Sequence, residues 1–182
     1  MKNLFYLLVI IGMIACSSEE ESIRGCTDPD SNNYNANATE DDGSCTYLRD
    51  IYLGNYDGIF GNCLPENNLN NFSDPKTIVI QPGENNDEVK VIVNDITVEG
   101  FRDKKVMTFI AEVTEDELMF RRSESSDRFV IGDISIRVYF DGTMDRSSSG
   151  DLSGRIIIDA FDTGAANTSL NLYNCDFTFT KK

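Results

Sequence analysis

The sequence predicts an all-β protein: an antiparallel meander of seven to nine short strands, closed as a barrel or folded as a sandwich, with a small disulfide-bracketed bead in front of it. Three observations carry that expectation. Ile134, Ile136, Val138 and Phe140 alternate with Ser135, Arg137 and Tyr139, a period of two. Segment after segment is rich in β-branched and aromatic residues: "KTIVIQ", "KKVMTFIAEVT", "ELMFR", "RFVIGDISIRVYF", "GRIIIDAF" and "SLNLYNCDFTFT". Turn signals separate them, and no stretch sustains a helical period.

Taken from the N-terminus, Lys2 is a short positive region and Leu4–Ile14 an apolar run of eleven residues. That is too short to span a bilayer and suits the hydrophobic part of a signal peptide, residues 1–15. Met13-Ile14-Ala15-Cys16 resembles the bacterial lipobox, with Met where Leu is usual. The resemblance implies a cleaved signal and a lipidated Cys16, and two or more acyl chains suffice for stable anchoring. Residues 16–24 then read as a solvated tether, because Glu19-Glu20-Glu21 cannot bury itself. The same acidic run resembles the export signal of Bacteroidota surface lipoproteins, which implies an outer-membrane address facing the cell exterior.

With Cys16 lipidated, four of the five cysteines remain, an even number suited to an oxidising compartment. Four allow three connectivities. Cys26–Cys45 is the local pairing and leaves Cys63–Cys175. The mature chain carries 15 basic and 31 acidic side chains, a balance of −16. Such a surface repels nucleic acid and anionic lipid, and it attracts cations.

Residues 25–46 form the bead, "GCTDPDSNNYNANATEDDGSCT". Its composition offers almost nothing to bury, so cross-linking must stand in for a core. Asp28, Asp30 and Asn32 at i, i+2 and i+4, with Asp41 and Asp42 returning beside Cys45, are a candidate oxygen-ligand set for Ca²⁺. This is no EF-hand: counting from Asp28 or Asp30 gives neither Gly at the sixth position nor Glu at the twelfth. A metal-free knot, held by the disulfide and by Asp/Asn turns, is the competing reading. Cys26, Thr27, Asp28, Pro29, Asn33, Tyr34, Ala38, Asp41, Asp42, Gly43, Ser44 and Cys45 resemble a Cys-Thr-Asp-Pro…Asn-Tyr…Asp-Asp-Gly-Ser-Cys module of secreted and surface Bacteroidota proteins.

Residues 49–182 form the β domain. "YLGNYDGIFGNC" is its first strand, "QPGENND", "VEGFRDK", "TEDE", "DGTMDRSSSGD" and "DTGAANT" are connections, and "FDG" at 140–142 reads as the start of a turn. The last strand changes phase between Leu170/Leu172 and Tyr173/Cys175/Phe177/Phe179, so a bulge is expected near Tyr173-Asn174. Closure would pair the first strand with the last, and Cys63–Cys175 would pin that seam. An opening Gly-Tyr strand with an early Cys and the closing "CDFTFTKK" resemble small β domains of Bacteroidota surface lipoproteins. A lipocalin-like meander is a weaker likeness, since the chain has no Trp and hence no Gly-x-Trp signature.

The chain has no histidine, which removes His-based triads and His-ligated metals. No thiol is left over for catalysis, and no Gly-x-Ser-x-Gly, P-loop or dinucleotide fingerprint occurs. Glu115-Asp116-Glu117 reads as a turn, and Asp159 and Asp162 beside Phe161 read as solvated carboxylates. Tyr52, Tyr56, Phe60, Tyr139, Phe161 and Tyr173 are candidates for a binding face, although each is more simply a core or cross-strand residue. The functional expectation is a surface-anchored, non-catalytic module that binds glycan or protein. The alternative is a carrier holding a small apolar ligand inside the barrel. A two-carboxylate glycan hydrolase is the remote alternative.

Overall fold

The computed structural model describes residues 21–64, 75–96, 105–115, 117–124, 129–131, 134–162 and 168–182. The chain divides into two compact units. One runs to Pro29 and takes up again over Asn33–Cys45; the other joins Asp30–Asn32 to Thr46–Lys182. The turn Asp30–Asn32, which the sequence assigns to the bead, therefore counts with the β domain.

In the first unit, β1 (Arg24–Gly25) and β2 (Glu40–Asp41) make a two-residue parallel bridge. Cys26 is the one buried residue of this unit among those described, and it forms the expected disulfide with Cys45. Polar turns supply the rest. The Asn33 side-chain amide donates to the Ser44 carbonyl at 2.6 Å, and the Asn35 N–H donates to the Cys26 carbonyl at 2.9 Å. Asp41 and Asp42 accept from the N–H groups of Gly43 and Ser44, at 3.1 and 3.0 Å. Gly43 sits at φ +73°, a conformation that a side chain resists.

The second unit is a closed antiparallel barrel of eight strands. Its members are β3 (Gly54–Leu64), β4 (Lys76–Pro82), β5 (Glu88–Ile96), β6 (Lys105–Val113), β7 (Glu117–Glu124), β9 (Ile134–Arg146), β10 (Leu152–Asp162) and β11 (Thr168–Lys181). β8 (Phe129–Ile131) pairs with the start of β9, on the side where β7 pairs further along. Each strand neighbours the next in sequence, and β11 closes on β3, as the seam expectation requires.

Alternation builds the core. Ile78 and Ile80 on β4, Val89, Val91 and Val93 on β5, Met107, Phe109 and Ala111 on β6, and Phe177 and Phe179 on β11 are all buried in one cluster. Phe60 packs edge-on against Phe179, with centroids 5.7 Å apart. Tyr52 and Tyr56 are buried in the same cluster, so Tyr52, Tyr56 and Phe60 belong to the core and not to a binding face. Tyr139 is half-buried, and the side chains of Phe161 and Tyr173 lie outside the described residues.

One local expectation is corrected and another is refined. "FDG" does not turn: β9 runs straight through residues 140–142. Gly142 is needed there because a Cβ would strike the Arg155 carbonyl oxygen and come within 2.9 Å of Ile156 Cα, and φ is +152°. Gly154 on β10 meets the Thr143 carbonyl in the same way. These paired glycines let β9 and β10 approach closely where the sheet curls. The phase change in β11 is met by two slips, one of them beside the expected Tyr173-Asn174 and the other further toward the strand's start. Against β10 the register slips between Ala160 and Phe161, with Leu170 as the extra residue. A second slip, between Asn174 and Asp176, places the extra residue in β3.

Cys175 lies in that second slip, fully buried and disulfide-bonded. Its flanking partners on β3 are Leu64 and Gly61, which brackets residues 62–63 opposite it. The Cys63 side chain, like Cys16 and its tether to residue 20, lies outside the described residues, as do the connections 97–104 and 163–167.

Candidate functional site

One end of the barrel is built by the residues just before β3. The chain makes a 3₁₀ turn over Leu48–Ile51, with the Asp50 carboxylate accepting the Tyr47 N–H at 2.8 Å. Leu48 and Leu53 pack against the core, and the Tyr56 hydroxyl donates to the Tyr52 carbonyl at 2.6 Å. Burial pushes the Tyr56 phenol above its ordinary pKa. Arg49 donates to the carbonyls of Gly83 and Asn85, and Arg146 Nε donates to the Ile51 carbonyl at 3.2 Å. Two strand connections are thereby tied to the 3₁₀ turn.

The described core leaves little room inside the barrel. A cavity of about 10 Å³ remains between Phe60, Val91, Val93, Phe109, Phe140, Met144, Ile156 and Phe179. That is roughly the space one water needs.

A concavity of about 630 Å³ lies on the outside of the end built by the 3₁₀ turn. Its walls are the turn between β4 and β5, the segment Asp30–Asn32 and the start of the 3₁₀ turn. Glu84, Asp87 and Asp30 bring carboxylates, and Asn32, Asn85 and Asn86 bring carboxamides. Tyr47, Leu48 and Val113 supply the apolar part. The Arg49 guanidinium stands 5.1 Å from the centre of the Tyr47 ring and holds that wall in place. A compact turn makes the rest rigid. Gly83 N–H donates to the Glu88 carbonyl at 2.9 Å, and Val113 N–H donates to the Asp87 carbonyl at 2.6 Å.

The sequence-predicted residues fall in both units. Asp30 and Asn32 line this groove, whereas Asp28, Asp41 and Asp42 belong to the other unit. Among the described residues no group of three or more acidic or sulfur side chains converges as a metal site. The Asp41 and Asp42 carboxylates are occupied in turns, and Ser44, through its hydroxyl and then its N–H, holds Asp42 below its ordinary pKa. Glu115 is exposed in a tight turn closed by Thr114 N–H on the Glu117 carbonyl at 2.9 Å, while Asp116 lies outside the described residues. Asp159 is half-buried mid-strand, and the Asp162 side chain is outside those described.

Sequence reasoning missed Glu84, Asn85, Asn86, Asp87 and Tyr47. The first four lie in "QPGENND", whose turn residues account for them locally, and only the fold brings Tyr47 and Leu48 beside them. Comparison with protein-family models, curated proteins and solved structures returned no match.

Proposed function

We propose that this protein is a surface lipoprotein, anchored to the outer membrane through Cys16, whose barrel acts as a non-catalytic binding module for glycan. The observation that carries the reading is the groove of about 630 Å³ on the outside of the barrel, beside the 3₁₀ turn. A sugar ring offers an apolar face and a rim of hydroxyls. Tyr47 and Leu48 suit the first, and carboxylates beside carboxamides suit the second as paired acceptors and donors. Absence of histidine supports binding without catalysis.

The test is a glycan panel probed with the labelled mature chain. Binding to a defined subset, reduced tenfold or more by Tyr47→Ala and by Asp87→Ala, is expected. No retention on any glycan, together with adhesion to a protein surface, would shift the reading to a protein partner. Hydrolysis of a bound glycan would revive the two-carboxylate alternative. Incorporation of labelled fatty acid, abolished by Cys16→Ser, tests the anchor.

A second reading, a carrier of a small ligand in the barrel interior, is favoured by the closure of eight strands into one barrel.

A further inference from the structure

Arg49 is not among the residues that line the outer groove, yet it touches two of the groove's walls. Its Nη1 donates to the Gly83 carbonyl, at 3.5 Å, and to the Asn85 carbonyl, both in the turn between β4 and β5. Its guanidinium carbon stands 5.1 Å from the centre of the Tyr47 ring, on the wall formed by the 3₁₀ turn. The guanidinium is thus committed to two carbonyls and a ring, and the lining of the groove carries no cation among the described residues.

Each wall also has anchors of its own. Val113 N–H donates to the Asp87 carbonyl at 2.6 Å and Gly83 N–H to the Glu88 carbonyl at 2.9 Å, which hold the β4–β5 turn. The Asp50 carboxylate accepts the Tyr47 N–H at 2.8 Å, and Arg146 Nε donates to the Ile51 carbonyl at 3.2 Å, which hold the 3₁₀ turn. The third wall, Asp30–Asn32, hangs from the residue before Tyr47, through Asn32 N–H on the Thr46 carbonyl at 2.8 Å. Loss of the Arg49 head would therefore leave the walls folded and free the spacing between them. Arg49 Nε is buried and has no acceptor among the described residues, an unfavourable state for a donor. Such a cost is understandable where a ring and two carbonyls dictate the orientation of the head together.

We propose that Arg49 is the positioning residue of the groove: by joining the Tyr47 ring to the β4–β5 turn it preforms the space that a sugar ring enters, without itself touching the sugar. The inference rests on the glycan reading. Preorganisation acts on affinity, because a ligand that must first order its site loses part of its binding free energy to that ordering. Lysine is a poor substitute, since its ammonium is a point charge, whereas a planar guanidinium donates in its plane while its face lies on an aromatic ring.

The experiment is calorimetric titration of the mature chain with cellohexaose, laminarihexaose and the N-acetylglucosamine hexamer, neutral glycans suited to a lining of carboxylates and carboxamides. The native chain should bind at least one of them. Arg49→Gln should weaken that binding roughly tenfold or more, and Arg49→Lys by an intermediate amount, at a temperature where circular dichroism shows each chain folded. In the Tyr47→Ala chain, adding Arg49→Gln should cost less than about twofold further, because the two residues act through one contact. Native affinity in both Arg49 variants, or losses that multiply in the Tyr47→Ala background, would overturn the role of Arg49 and leave the glycan reading standing. Should Arg49→Gln fail to fold, Arg49→Lys decides: a loss of affinity supports the role, and native affinity overturns it. Failure of the native chain to bind any of the three would overturn the glycan reading and this inference with it.

Discussion

The bead and the barrel solve the same problem by opposite means. The barrel sets inward side chains from eight strands against each other, and most of its described inward positions are buried and apolar. The bead buries Cys26 alone; its one tyrosine, Tyr34, is about half exposed, as is Ile23. It is held by one disulfide and by short bonds from Asn and Asp side chains to backbone. A core stabilises by transfer of apolar area from water, a cross-link by restricting the unfolded chain. The two regions should therefore respond differently to mutation, to reductant and to pH.

The largest effect is expected where the barrel backbone has no room. Gly142→Val places a side chain against the Arg155 carbonyl, at a φ that β-branched residues avoid. The β9–β10 pair should open and soluble barrel should be lost, read as loss of cooperative thermal unfolding. Bead residues have no such sensitivity, and Gly43→Ala, with open space around it, should cost only the strain of its positive φ.

Next comes the cross-link. Replacing Cys26 and Cys45 together by Ser removes a bond spanning 19 residues. Chain-entropy reasoning assigns about 3 kcal/mol to a loop of that size. The whole of that loss should fall on the bead, detectable as new protease cuts within residues 26–45 while the barrel melts as before.

Within the barrel, Tyr56→Phe leaves the Tyr52 carbonyl without its phenol donor. A cost of about 1–2 kcal/mol in chemical denaturation is expected. The raised Tyr56 pKa gives the sign of the alkaline dependence. Its stabilising contribution is complete below the ordinary tyrosine value of 10.0 and is lost as pH rises through the higher folded value. Tyr56→Phe should flatten that part of the profile.

The smallest effect concerns acid. Asp151 is held below its ordinary value first by the Lys181 backbone N–H and then by the Ser149 hydroxyl. A depressed carboxylate contributes fully above the ordinary value of 3.8, and that contribution fades as pH falls from there toward the folded value. Asp151→Asn should remove this slope below pH 3.8 and change little at neutrality. Asp42 is depressed in the same direction, so the bead should show the same acid sensitivity with no core behind it.

Strand existence was plain from the sequence because a half-buried strand writes its period into the chain, as Val89, Val91 and Val93 do. The continuity of β9 was hidden because Asp141-Gly142 carries turn chemistry, and the reason for the glycine is a backbone on a neighbouring strand. The slip at Leu170 was hidden beside the expected one near Asn174 for a related cause: a phase change shows that an irregularity exists, while the partners' registers fix how many and where. Tyr52, Tyr56 and Phe60 are aromatic whether they face core or solvent, so composition alone left them open. The burial of Lys76 was readable, since it shares a parity with Ile78 and Ile80, but a lysine at a strand end is ordinarily taken as exposed. The groove was not readable at all, because its walls come from segments far apart in the chain.

The claim that cross-linking replaces a core in the bead is met most directly by hydrogen exchange on the Cys26→Ser/Cys45→Ser chain beside the native one. The account predicts that the amides of Asn35, Ala38 and Thr39, bonded to Cys26, Asn35 and Ile23 carbonyls, lose their protection. Amides of β4, β5 and β11 should keep theirs. Retained protection at Asn35, Ala38 and Thr39, or a matching loss in the barrel strands, would contradict it.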